Sequence, residues 1–157
     1  MKVLDEFKDE IEQIAAEHQV DPDLVRAIVM TESAGDLWAM RFEPDFHDRY
    51  IVGNRDYMKA SATERMAAAT SWGLMQVMGA VARERGFKGR YLSELCDPIV
   101  GLRYGVKHLK HFLDRYVDSI QATAAYNAGS ARRDADGRFV NQDYVDKVRQ
   151  WYAKIKT

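Results

Sequence analysis

The stretch DPIVGLRYGVKHLKHFLDRY, residues 97–116, decides the fold class. Its apolar side chains recur every three or four residues, which is the spacing of one buried face of a helix. Asp97 and Pro98 form a start signal, because the aspartate can accept hydrogen bonds from free amides and the proline φ suits the first helical turn. The apolar face comprises Ile99, Leu102, Val106, Leu109, Leu113 and Tyr116. The sequence therefore predicts a long helix here.

Other segments of the chain also carry helical signals, so the expected fold class is all-α. Asp21–Pro22 repeats the start signal and predicts a helix that runs to about Ser33, before Gly35. An amphipathic first helix is predicted from the apolar face of Val3, Leu4, Phe7, Ile11, Ile14 and Ala15. The capping-box pair Ser61 and Glu64 predicts the start of another helix. A helix is also predicted from about Gly73 towards Arg85, with a stop at Gly86. A further one is predicted from Ile120 to Ala128, with a stop at Gly129. After a polar loop around Asp134 to Gly137, the last predicted helix carries Tyr144, Val145, Val148, Trp151, Tyr152 and Ile155 on one face.

The helical pattern breaks down over residues 35–61, where aromatic and charged side chains mix with Pro44, Gly53 and Asn54. We interpret this segment as a long aromatic-rich insertion, with a small hairpin around Gly53–Asn54. A loop of this length usually serves a site or is disordered, and its aromatic side chains argue against disorder.

Composition favours one domain that spans residues 1–157, and it excludes some functions. The chain is 46% hydrophobic, and its 23 Lys and Arg nearly cancel its 24 Asp and Glu. A balanced charge provides no field that would attract nucleic acid or an anionic membrane. Cys96 is the only cysteine, so it cannot form an intrachain disulfide and is expected to be a packed thiol.

The first residues, MKVLDEFKDEIEQ, are acidic where a signal peptide needs an apolar stretch. No apolar run approaches the roughly 18 residues of a membrane span. The sequence alone therefore predicts a protein that is made in the cytoplasm, has no signal peptide and does not insert into membranes.

Glu32 is the strongest candidate catalytic residue from the sequence pattern. Leu24, Ile28 and Glu32 follow one another at intervals of four along one face of the second helix, so a carboxyl group ends an apolar stripe. The negative end of the helix dipole and partial burial would both disfavour its ionisation. Such a carboxyl group can act as a general acid. The alternative is a last-turn residue that points into solvent.

Short motifs in order along the chain carry a family resemblance. Glu32–Ser33, Gly73–Leu74–Met75–Gln76 and Ala125–Tyr126–Asn127–Ala128–Gly129 are followed by Tyr144–Val145 and Val148. Each motif is weak alone, but in this order they resemble soluble lytic transglycosylase domains, in the superfamily that includes goose-type lysozymes. The resemblance covers most of the chain and leaves only the first helix without a motif.

The resemblance implies a lysozyme-like helical domain that binds peptidoglycan glycan strands as a monomer and needs no metal or cofactor. Glu32 would be the single catalytic carboxylate, and Ser33 would help to hold it. Substrate binding would involve Gly73, Leu74, Met75, Gln76, Tyr126, Asn127 and Tyr144. The last three would supply hydrogen bonds to the glutamate or to the sugar. Gly73 would let the backbone approach the glycan, while Met75 and Gln76 would line the cleft. Plain structural roles remain open for Met75, Ser33, Gly73 and Tyr144.

The implied reaction is a lytic transglycosylation that leaves a 1,6-anhydro end on N-acetylmuramic acid. One departure from the family pattern leaves the product open, because Ala34–Ser71 is longer than usual and lacks the asparagine-proline pair that normally follows Glu-Ser. The extra segment contains Glu43, Asp45 and Asp48. If one of them activated water, the enzyme would be a muramidase; otherwise they are loop charges near Arg41, Arg49 and His47. A third possibility is a wall-binding or virion component without activity.

The implied substrate lies outside the cytoplasmic membrane. A hypothesis that fits the missing export signal is a phage endolysin released through holin lesions, or a lytic part of a virion or secretion apparatus. Either would act on the cell wall in the periplasm.

Overall fold

The two aspartate-proline start signals both begin helices in the computed structural model, which describes residues 2–157 and the side chains from Leu4 onward. Helix α3 spans Pro22–Glu32, and the Asp21 side chain accepts a hydrogen bond from the amide of Asp23. Helix α7 spans Pro98–Arg115, and the Asp97 side chain accepts from two amides of its first turn. The predicted starts of these helices are confirmed.

The chain divides into two compact units, of which unit 1 holds the residues up to Gly35 and from Val106 to Thr157. Its helices are α1 (Lys2–Glu6), α2 (Lys8–Glu17), α3, the second part of α7, α8 (Ser119–Ala128) and α9 (Gln142–Ile155). The predicted first helix is interrupted at Phe7, although Leu4, Phe7 and Ile11 are buried as expected. Val3 lies outside the described side chains. The single domain expected from the length stays a prediction.

Helices α3 and α9 of unit 1 pack together and run antiparallel. Tyr152, near the end of α9, donates a hydrogen bond of 2.5 Å to Asp21 at the start of α3. Tyr144, at the start of α9, contacts Glu32 at the end of α3. Apolar side chains from both helices, including Val25, Val29, Val145 and Val148, are buried in the core.

Unit 2 spans Asp36–Gly105 and contains a small antiparallel sheet in the order β1-β2-β3. The strands are β1 (Met40–Phe42), β2 (Thr70–Trp72) and β3 (Val77–Met78), and Arg41 pairs with Ser71 in register. The helices are α4 (Pro44–Phe46), a π-helical turn at His47–Ile51, a 3-10 turn at Arg55–Tyr57, α5 (Ala62–Ala68), α6 (Gly79–Glu84), a 3-10 turn at Leu92–Cys96 and the first part of α7. Most described residues are helical, so the predicted all-α class is confirmed.

Three predictions for this unit need correction. The hairpin expected at Gly53–Asn54 is wrong, because Asn54 instead caps the 3-10 turn by accepting from the amide of Asp56. The start at Gly73 expected for the next helix is wrong, because residues 73–76 form the turn between β2 and β3 and this helix, α6, begins at Gly79. Ile99 is about half exposed, at 49%, and is therefore not part of the buried α7 face.

Other predictions for unit 2 agree with the structure. The Ser61 side chain accepts a hydrogen bond of 3.1 Å from the amide of Glu64 and caps α5. Gly86 adopts a φ of +96° after α6, as expected of a residue that ends a helix. Cys96 is buried, and burial raises the pKa of its thiol, as does the nearby charge of Asp36. Across residues 2–157, the structure contains no helix long and apolar enough to span a bilayer.

Candidate active site

Glu32 is the last residue of α3, and the helix places it next to the core of unit 1. Leu24 and Ile28, on the same face, are buried, and the Glu32 side chain is half-buried. The chain leaves the helix immediately afterwards through Ala34 and Gly35, whose φ values are +52° and +84°. The apolar stripe therefore ends in a carboxyl group that is partly shielded from water.

Tyr144 donates a hydrogen bond to this carboxyl group. Its hydroxyl donates to Oε1 of Glu32 over 2.7 Å. The pKa of Tyr144 is raised well above its usual value by burial, and then by the charge of Glu32, by Tyr126 and by the hydrogen bond itself. Tyr144 is therefore a neutral donor whenever Glu32 is charged.

Tyr126 is the second tyrosine near Glu32. It lies on α8 and is buried, with its ring centroid 5.1 Å from that of His108 on α7. Burial raises the pKa of Tyr126 well above its usual value, and the charge of Glu32 raises it further. Helices α3, α8 and α9 thus bring Glu32, Tyr126 and Tyr144 together in unit 1.

Asn127 has a partner that the sequence did not indicate. Nδ2 of Asn141 donates to Oδ1 of Asn127 and to the carbonyl oxygen of Ala124, both over 2.9 Å. Asn141 is the residue just before α9, so this contact ties α8 to the start of the helix that carries Tyr144. The position of Asn141 at a helix start is the sequence feature that could have indicated a role for its side chain. The predicted hydrogen bond from Asn127 to a sugar stays a prediction.

Ser33 is the residue that follows α3, and its side chain bonds to the backbone on both sides. Its hydroxyl donates to the carbonyl oxygen of Val29 over 3.2 Å and accepts from the amide of Gly35 over 3.1 Å. These bonds fix the turn that follows Glu32. The predicted role of Ser33 in holding the glutamate stays a prediction.

The Gly-Leu-Met-Gln segment lies in unit 2 and is largely internal. The side chains of Leu74 and Met75 are fully buried, which fits the core role left open for Met75, and their predicted part in substrate binding stays a prediction. Met75 packs on Gly105, where an added Cβ would lie 2.4 Å from the methionine sulfur. These two side chains belong to the core because their turn is folded back onto α7.

Gly73 and Gln76 shape the turn itself. Gly73 has a φ of +67°, and an added Cβ would lie 2.5 Å from the carbonyl oxygen of Leu95. Gly73 therefore lies close to the backbone of Leu95, and its predicted approach to a glycan stays a prediction. The Gln76 side chain donates to the carbonyl oxygens of Ala39 and Gly73 and accepts from the hydroxyl of Ser71. Gln76 thus braces the turn against the residue before β1.

The three carboxylates of the insertion differ in their surroundings. Glu43 accepts a hydrogen bond of 2.6 Å from Arg41, and Asp48 lies 3.1 Å from Nδ1 of His47. Asp45 is exposed. The predicted neighbours Arg41 and His47 are therefore the partners of two of these groups.

The arrangement in unit 1 can give and accept a proton at one carboxyl group, with a neutral tyrosine hydroxyl that holds one of its oxygens. Within residues 2–157, no three or more His, Cys, Asp or Glu side chains form a group that could hold a metal ion. The model of one protein family, described as the transglycosylase SLT domain, matches residues 9–144. This match contains Glu32, Tyr126 and Tyr144.

Proposed function

Because the chain belongs to the transglycosylase SLT domain family, we propose that it cleaves the β-1,4 bond between N-acetylmuramic acid and N-acetylglucosamine of peptidoglycan and leaves a 1,6-anhydro end. The family acts on peptidoglycan, which fixes the substrate class. The particular bond, the product and the residue roles are our proposal. The enzyme acts at the cell wall.

The hydrogen bond from Tyr144 to Glu32 is the observation that supports this proposal most. It holds Oε1 of the carboxyl group that we propose as the proton donor. The helix C-terminus disfavours a negative charge on Glu32, while the tyrosine hydroxyl stabilises that charge once it has formed. A carboxyl group that must be an acid first and a base afterwards needs both effects.

In the first step, Glu32 donates its proton to the bridging oxygen, and the bond from that oxygen to C1 of N-acetylmuramic acid breaks. The acetamido group of the substrate stabilises the positive charge that develops on C1. In the second step, the Glu32 carboxylate removes the proton from the C6 hydroxyl, whose oxygen attacks C1. The glutamic acid is regenerated, and no second carboxylate is required.

A muramidase reaction by the same domain would require Glu43, Asp45 or Asp48 to activate water. The contacts of Glu43 with Arg41 and of Asp48 with His47 favour the transglycosylase reaction, because two of the three candidate carboxylates already have partners within the insertion. Hydrolysis leaves reducing ends, whereas anhydro ends lack them. Mass spectrometry of muropeptides released from purified sacculi therefore separates the two reactions.

The decisive variant is Glu32→Gln, which keeps the shape of the side chain but cannot donate a carboxylic proton. We expect release of muropeptides to fall by about a hundredfold or more, in line with the contribution of general acid-base catalysis. Glu6→Gln in α1 is the matched control, because it makes the same change at an exposed position. Circular dichroism should show an unchanged helical signal for both variants. Undiminished release by Glu32→Gln would contradict the proposed role, and wild-type protein that binds sacculi without releasing muropeptides would contradict the proposed activity.

A further inference from the structure

A second concave site lies in unit 1, away from the carboxyl group of Glu32. It is a cavity of about 580 Å³ formed by α3, α7, α8 and α9. Leu24, one of its lining residues, lies eight positions before Glu32, which is about 12 Å along the helix axis. Its size falls within the range of cavities that hold small organic ligands.

The inner wall of this cavity is apolar. Leu24 and Val148 are buried, and Leu113 and Ile120 complete the wall. Thr123 also lines the cavity, but its hydroxyl donates to the carbonyl oxygen of Ser119 and so needs no further acceptor. The wall therefore suits the hydrocarbon part of a ligand.

Two cations lie among the lining residues. Among residues 2–157, Arg149 has no carboxylate within ion-pair distance, and Lys110 pairs with Asp114 on its own helix. The one lining carboxylate, Asp21, accepts hydrogen bonds from Tyr152 and from the amide of Asp23. The cations outnumber the anion, and the anion already has two donors, so the charge of the cavity complements a negative ligand.

We propose that this cavity binds a medium-chain carboxylate, with the hydrocarbon chain against Leu24, Ile120 and Val148 and the carboxylate beside Arg149 and Lys110. A carboxylate can form a bidentate pair with a guanidinium group, which an alcohol cannot do. The site does not involve Glu32. It is therefore independent of the proposed reaction.

Decanoate is the probe, and binding to the full chain is measured by calorimetry and by NMR shifts of assigned side chains. We expect saturable binding of one molecule, with shifts concentrated at Leu24, Thr123 and Val148. Decanol should bind more weakly, and decyltrimethylammonium weaker still. Arg149→Gln should weaken decanoate binding by roughly two- to fivefold, as expected for loss of one exposed ion pair.

Two further variants make the test specific. Ile120→Asp places a negative charge in the cavity, at a position near the start of α8 where an acidic residue suits the helix, and should abolish decanoate binding. Arg138→Gln removes an exposed cation outside the cavity and should leave the affinity unchanged. Glu32→Gln should also bind decanoate normally, which separates this proposal from the catalytic one. Absence of saturable binding, equal affinity for decyltrimethylammonium, or an equal loss in Arg138→Gln would overturn the proposal.

Discussion

Replacing Tyr144 with phenylalanine removes one hydroxyl group and leaves the aromatic ring in place. That hydroxyl donates to Oε1 of Glu32 over 2.7 Å, and it is buried. A hydrogen bond to a charged group contributes about 1.5–3 kcal/mol. If this energy is expressed in the transition state, the rate of muropeptide release should fall about 10- to 150-fold.

The same substitution should change the pH dependence of the reaction. Loss of the donor favours the protonated acid of Glu32 over its carboxylate. Because the first step needs the acid, the high-pH side of the activity profile should move to higher pH in Tyr144→Phe. A residue that only supports the fold would lower the rate without moving the profile.

Tyr152→Phe provides a matched control on the same helix. It removes the hydroxyl that donates to Asp21 at the other end of the α3 and α9 pair, and it leaves Glu32 untouched. We expect its release rate to stay within about twofold of wild type, since a change below 0.4 kcal/mol in the barrier is smaller than twofold. Equal rates in Tyr144→Phe and wild type, or equal losses in the two variants, would refute the reasoning.

Two predictions concern stability. Gly105→Ala should lower the free energy of unfolding by about 1–3 kcal/mol in urea titrations, because the new methyl group would lie 2.4 Å from the Met75 sulfur; an unchanged midpoint would contradict this packing. Burial raises the pKa values of Tyr126 and Tyr144. Their contribution to the free energy of unfolding is therefore fully present below the unfolded tyrosine pKa of about 10, and it is lost as the pH rises above that value. Above that pH, each tyrosine should lower the free energy of unfolding by up to about 1.4 kcal/mol per pH unit. Tyr144→Phe should therefore make the free energy of unfolding fall less steeply between about pH 10 and 11. If the free energy of unfolding fell equally steeply with pH in that variant, the raised pKa of Tyr144 would be contradicted.

Much of the helical framework could be predicted because its signals are local. An aspartate followed by proline satisfies amides within the next two residues, and this holds at Asp21 and at Asp97. Glycine with positive φ ends α8 at Gly129, as expected from its lack of a side chain. These signals need no information about distant parts of the chain.

The sheet could not be predicted, because its strands contain two or three residues each and depend on distant partners. Arg41 pairs with Ser71, which lies 30 positions later in the chain. The sequence after Gly73 predicts a helix for the same reason, because the short strands on either side of this turn give no local signal. Gln76 adopts a φ of +48°, which a helix does not allow, but nothing in its residue type indicates that conformation.

The site was predicted only in part. The spacing of Leu24, Ile28 and Glu32 indicated the carboxyl group, because a charged residue at the end of an apolar stripe is unusual. Periodicity placed Tyr144 on an apolar face and gave no reason to select its hydroxyl, whose partner lies 112 positions earlier. Asn141 was missed because its contacts with Ala124 and Asn127 also depend on the tertiary structure.

The α3 and α9 pair contains two tyrosine-carboxylate contacts that differ in their electrostatic setting. Asp21 lies at the start of α3, where the helix dipole stabilises a negative charge, and its carboxylate also caps the helix. Glu32 lies at the end of the same helix, where the dipole opposes a negative charge. A tyrosine hydroxyl therefore donates to a carboxyl group at each end of α3, and the helix dipole favours a negative charge only at the Asp21 end. This asymmetry explains why one contact suits a structural role and the other suits proton transfer.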